Sequence, residues 1–123
     1  MASVLLIESD PARLVALSLM LRCFGYTVLE AGSRGDAWRA CNEHKEPIHL
    51  AILDNDTSSE FVGRLQLLWP QVRALFVSDA SQANLAEMPC EYAFLQRPFR
   101  VDTLADIIEA LLGHPRKSAD PSL

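Results

Sequence analysis

Four short apolar runs set the tightest limit on what this chain can fold into. Val4–Ile7, Leu50–Leu53, Ala74–Val77 and Tyr92–Leu95 are continuous rather than alternating, and each stops abruptly at polar residues. A strand with one wet face alternates, whereas an unbroken run of this length reads as a strand covered on both faces. The stretches between the runs carry helical periodicity. Asp10-Pro11 reads as an N-cap followed by proline at the first helical position, and Leu14, Leu17, Ser18, Leu21 and Phe24 then share a face that Gly25 closes. Tyr26 to Glu30 is β-rich. Gly32 or Ser33 opens a second helix through Trp38 and Cys41, which ends before Pro47. Phe61, Leu65 and Leu68 predict a third helix closed by Pro70, and Gln82 to Glu87 a short fourth. Val101, Leu104, Ile107, Ile108 and Leu111 form the clearest stripe, stopped by Gly113. Strand and helix thus alternate five times. Right-handed crossovers between buried strands then predict an α/β fold, a doubly wound five-stranded parallel sheet in three α/β/α layers.

Residues 1–113 read as one domain and 114–123 as a polar tail or linker remnant with two prolines. An apolar share of 50% excludes disorder, and no apolar run approaches the roughly 18 residues of a membrane span. The first run lacks a basic start and meets Glu8 and Asp10 at once, unlike a signal peptide, so a cytoplasmic protein is expected. A net charge of −5, with basic residues spread singly apart from Arg116-Lys117, argues against a nucleic-acid surface. Cys23, Cys41 and Cys90 form no Cys-x-x-Cys pair and read as small buried apolar groups in a reducing compartment. His44, His49 and His114 read as surface or edge residues.

In an open α/β sheet, chemistry gathers at the carboxyl ends of the strands. Those ends carry Glu8-Ser9-Asp10 after the first run, Asp54 through Asp56 after the second, Ser78-Asp79 after the third and Arg97 after the fourth. If the first and third strands are neighbours, Glu8 and Asp54 meet above the sheet. Two carboxylates about 4 Å apart repel by about 4 kcal/mol at an effective dielectric near 20. Proton uptake, Arg97 or a hard divalent cation could offset that. Asp10, before Pro11, reads first as a cap and Asp56 could cap the third helix. Asp54 has no such structural duty and is the leading functional candidate.

These segments, in this order, resemble the receiver domain of two-component response regulators over Val4 to Leu112. Leu5-Leu6-Ile7-Glu8-Ser9-Asp10-Pro11 is similar to the family's first strand and acidic loop, and Phe24-Gly25-Tyr26-Thr27-Val28 to its Gly-Tyr-x-Val segment. Leu50-Ala51-Ile52-Leu53-Asp54 resembles the phosphoacceptor strand, and Leu75-Phe76-Val77-Ser78 the strand ending in Ser or Thr. Phe94-Leu95-Gln96-Arg97-Pro98-Phe99 resembles Phe-Leu-x-Lys-Pro-Phe.

The resemblance implies that Asp54 accepts a phosphoryl group from a partner histidine kinase or phosphotransfer protein. It implies Mg2+ held by Glu8, Asp54 and the backbone carbonyl of Asp56, with Asp10 a further candidate ligand. It also implies Ser78 and Arg97 on the phosphoryl oxygens, Phe94 as a switch aromatic, and a cis Arg97–Pro98 bond. The output would be a protein-interaction face read by a downstream protein target, as monomer or homodimer, without membrane or nucleic acid. Enzyme activity would be limited to self-phosphorylation and self-dephosphorylation.

Four departures bear on this. Ser9 stands where the family has its second acid, which weakens a metal site most. Arg97 replaces lysine. The segment after Asp54 lacks Met-Pro and about four residues, counted by aligning Pro70. Asp79 adds an acid beside Ser78. A pseudo-receiver acting by phosphorylation-independent binding is therefore the alternative, and Ser9→Asp is expected to raise Mg2+ affinity. A haloacid-dehalogenase-like phosphatase is a remoter one: Asp54-Asn55-Asp56-Thr57 matches its Asp-x-Asp-x-Thr motif. Only 69 residues follow Asp54, however, with Lys117 their sole lysine. A flavodoxin-like cofactor binder is disfavoured, because Glu8-Ser9-Asp10-Pro11 would repel a phosphate.

Overall fold

The computed structural model describes residues 2–44, 46–54, 59–79 and 91–113. Its elements are β1 (Ser3–Ile7), α1 (Pro11–Cys23), β2 (Thr27–Ala31), α2 (Arg34–Glu43), β3 (Leu50–Leu53), α3 (Ser59–Leu68), β4 (Arg73–Ser78), β5 (Tyr92–Gln96) and α4 (Val101–Leu112). The five strands form one sheet in the order β2-β1-β3-β4-β5, every neighbouring pair parallel. The chain winds outward from β1 in one direction to β2 and then in the other through β3, β4 and β5. The doubly wound parallel sheet expected from the apolar runs is therefore present. The short helix expected at 82–87, the 114–123 tail, Asp56, Cys90 and His114 lie outside the described residues.

Local chemistry places the helix ends. The Asp10 carboxylate accepts the Arg13 backbone N–H at 3.0 Å, and Pro11 follows in the first turn. Ser33 Oγ caps α2 from the Asp36 N–H at 3.1 Å. At the far ends, Gly25 (φ +98°) and Gly113 (φ +73°) take the left-handed backbone that a side chain would strain.

Period-two alternation divides the interior into two cores. Leu5, Ile7, Ala51, Leu53, Ala74 and Phe76 pack with Ala37 and Cys41 of α2 and with Phe61, Val62 and Leu65 of α3. Val4, Leu6, Leu50, Ile52, Leu75 and Val77 pack on the opposite face with Leu17 and Leu21 of α1 and with Leu104, Ile108 and Leu111 of α4. Each central strand feeds both cores, which is why the runs in the sequence are unbroken.

Four inward assignments fail: Val101 at the start of α4 is 46% exposed, Tyr92 on the edge strand β5 is 37% exposed because an edge strand lacks full cover, and two more lie on α3 and α1. Leu68 is half-exposed, and Trp69, one residue beyond the helix, packs on the core instead. Cys23 is exposed, because two residues on from the buried Leu21 an α-helix has turned about 200°. Cys41 is buried as expected, and burial pushes its thiol pKa up. His49 is half-buried, as an edge residue is; its Nδ1 accepts the Ser3 N–H at 3.1 Å, tying the starts of β1 and β3 together. Among the described residues no helix is long and apolar enough to cross a membrane.

Candidate functional site

Strand register decides which polar residues meet. Leu6 pairs with Ile52, so Glu8, two residues beyond Leu6, sits level with Asp54, two beyond Ile52. Leu53 pairs with Phe76 and Ser78 with Gln96, which brings Ser78, Asp79 and Arg97 to the same carboxyl edge. The sequence candidates Glu8, Asp54, Ser78 and Arg97 are thus assembled at the ends of four adjacent strands. Glu8, Asp54, Asp79 and Arg97 share the side-chain parity of the α1/α4 face, whereas Ser78 continues the Ala74–Phe76 set toward α2 and α3. Asp54 is half-buried and Ser78 buried, and both are engaged in polar or electrostatic contacts.

Arg97 organises the edge. Its backbone N–H donates to the Ser78 carbonyl at 2.8 Å, fixing its root beside β4, and the Arg97–Pro98 bond is cis. Its Nη2 donates to Glu8 Oε1 at 3.1 Å and its Nη1 to Asp79 Oδ1 at 3.2 Å. Adjacent strands are about 4.8 Å apart, so β1 and β5 stand about 14 Å apart with β3 and β4 between them. The Glu8 and Arg97 side chains therefore reach toward each other over the ends of β3 and β4, where Asp54 and Ser78 sit.

The Glu8 carboxylate is nearly buried, its side chain 6% exposed, and its other oxygen, Oε2, accepts the Asp10 N–H at 3.0 Å. Arg13 extends the network, with Nε 3.5 Å from the Asp10 carboxylate and Nη1 3.8 Å from that of Asp79. The result is a ring, Glu8–Arg97–Asp79–Arg13–Asp10, that returns to Glu8 through the Asp10 backbone. Three carboxylates face two guanidinium groups. Sequence reasoning did not single out Arg13. It placed Asp79 as an extra acid but not as the second partner of Arg97.

Phe94 is half-buried against the α2/α3 core and lies opposite Phe76 in the β4–β5 ladder. Its place two residues before Gln96 sets it on the Ser78 side of the sheet.

The same architecture recurs in solved structures. A response regulator receiver domain protein from Clostridium thermocellum superposes with a TM-score of 0.77 at 20% identity, over 92% of this chain and 95% of its own. The fold is that of a response-regulator receiver domain. A CheY-like receiver domain protein from Methanospirillum hungatei matches at TM-score 0.73 and 19% identity, over 92% of this chain and 94% of its own. The response regulator TrrA from Thermotoga maritima, solved in complex with Mg2+–BeF, matches at 0.73 and 18% identity, over 91% of this chain and all of its own. No protein-family model matches the sequence, and no curated relative does.

A receiver fold raises the question of Mg2+, and the side chains at this edge do not fit it. Both Glu8 oxygens are engaged, one by a guanidinium and one by a backbone N–H. Ser9 brings no carboxylate. Asp10 caps α1 and pairs with Arg13. Among the described residues no three His, Cys, Asp or Glu side chains are grouped to hold a metal. A hard cation that binds through one or two carboxylates and water would compete with Arg97 for Glu8 Oε1.

Proposed function

We propose that this chain is a signal-transduction receiver domain in which Asp54 accepts a phosphoryl group from a partner histidine kinase or phosphotransfer protein. Support comes from one observation above all. Side chains up to 89 positions apart in sequence converge at one strand edge, with a half-buried carboxylate at the end of β3 and a guanidinium drawn across from β5. That edge is where open α/β sheets do their chemistry, and the convergence follows from strand order and register.

The chemistry follows from the residues. An Asp54 oxygen attacks phosphorus, forming an O–P bond as the P–N bond to the partner's imidazole breaks, and the imidazole nitrogen keeps the bonding pair. The protein's part is to position the carboxylate and neutralise the arriving charge. Arg97 holds a positive charge over the strand ends, and its donors suit phosphoryl oxygens as well as carboxylates. The Ser78 hydroxyl donates to a phosphoryl oxygen, and Phe94, on the same side of the sheet, repacks when it does. The output is a changed surface around β5 and α4 that a protein target reads. Turnover is confined to the domain's own phosphoryl group.

Intact mass after incubation with acetyl phosphate and Mg2+ tests this reading. The expected result is a gain of one phosphoryl group that Asp54→Ala abolishes. A gain that persists in Asp54→Ala, or none in the parent protein, overturns it.

A further inference from the structure

We infer that Arg97 is the resident cation of this pocket and that it, more than the loss of an acid at Ser9, excludes divalent metal. The first observation is burial. The Glu8–Arg97 pair is withdrawn from water, at 6% and 17% side-chain exposure, so the guanidinium is no surface charge that solvent lets drift away. The second is bridging. Arg97 donates from one terminal nitrogen to Glu8 and from the other to Asp79, while the second Glu8 oxygen accepts the Asp10 N–H. The third is chemistry. A guanidinium stays charged throughout the accessible pH range and is a planar fork that bridges two carboxylates here, so moving it off Glu8 also disturbs its bond to Asp79.

A divalent ion seeking Glu8 therefore meets a competitor of fixed geometry whose departure would leave two acids to re-pair. Restoring an acid at position 9 leaves that competitor in place. Removing Arg97 frees the Glu8 Oε1 that the ion needs. This inference goes beyond the phosphorylation reading and does not depend on it, because it concerns the unmodified protein.

The experiment is a titration of the unphosphorylated protein with Mg2+, followed by the amide NMR shifts of Glu8, Asp54 and Asp79. Parent, Ser9→Asp, Arg97→Met, Arg97→Lys and the Ser9→Asp/Arg97→Lys pair are compared. The parent is expected to show no saturable shift at millimolar Mg2+. Ser9→Asp alone is expected to gain less than Arg97→Lys, and the pair to bind at least tenfold tighter than Ser9→Asp. Arg97→Met should also gain, and Arg97→Lys keeps the charge should Arg97→Met fail to fold. Saturable binding by the parent overturns the inference. So does a Ser9→Asp variant that binds as tightly as the pair, since Ser9 would then be the whole cause.

Discussion

Cutting Arg97 back to methionine removes both arms of its bridge while keeping most of the apolar stem, and the two arms are unequal. The Glu8 arm joins side chains 6% and 17% exposed at 3.1 Å, whereas the Asp79 arm, at 3.2 Å, ends on a carboxylate 75% exposed. At an effective dielectric near 20 the Glu8 arm carries about 5 kcal/mol of Coulomb attraction, much of it offset by the desolvation of both groups. Removing one partner strands the other as a buried charge, which costs about 3 kcal/mol or more. The exposed arm is screened and contributes under about 1 kcal/mol.

Arg97→Met is therefore expected to lose about 3 kcal/mol and Asp79→Asn less than 1. Adding Glu8→Gln to Arg97→Met should recover part of the loss, because a neutral amide is cheaper to leave half-paired than a carboxylate. Urea unfolding followed by the fluorescence of Trp38 and Trp69 reads this directly. With a slope near 1.5 kcal/mol/M, 3 kcal/mol moves the midpoint by about 2 M. Single-variant losses within about 0.5 kcal/mol of each other would show that burial does not distinguish the two arms. No recovery in the double variant would show that Glu8 is not the stranded charge.

Two further outcomes test the packing and the titration of the fold. Leu104→Ala, at a fully buried α4 position, should cost about 3 kcal/mol, and Leu67→Ala, 84% exposed on α3, less than 0.5, by the same urea assay. Burial, and secondarily the Glu109 carboxylate, push the Tyr26 pKa above its ordinary 10.0. The folded state then keeps a phenolic proton that the unfolded chain loses, so this contribution is unchanged below about pH 10 and stability falls as pH rises past it. Tyr26→Phe should flatten that alkaline loss in a series of unfolding curves.

The strands were legible because burial on both faces leaves a signature that needs no partner to interpret. Leu50–Leu53 and Ala74–Val77 could take few other roles. The Asp10-Pro11 start and the Gly25 and Gly113 stops were equally local, since capping chemistry is completed within three or four residues. Asp54 was readable as a strand-end carboxylate with nothing to cap. What escaped was pairing. Which of Glu8, Asp10, Asp54 and Asp79 an arginine selects depends on strand order and register, and no spacing in the chain encodes it. Arg13 joins the site through its neighbour Asp10 and through Asp79, and only the second of these contacts depends on strand order. Leu68 differs because helical spacing continues to the last turn of α3, whereas it is Trp69, just past the helix, that packs on the core.

One consequence of the ring of charges concerns the order in which the molecule becomes itself. Glu8 leaves the first strand and Arg97 the last, 89 positions later, so their meeting is among the most non-local contacts in the chain. β1, β3 and β4 by themselves carry Glu8, Asp54 and Asp79 to one edge, with Arg13 on α1 but without Arg97. The final strand thus delivers the counter-charge as well as hydrogen bonds, and the anionic edge reaches its working electrostatics only when the sheet is complete.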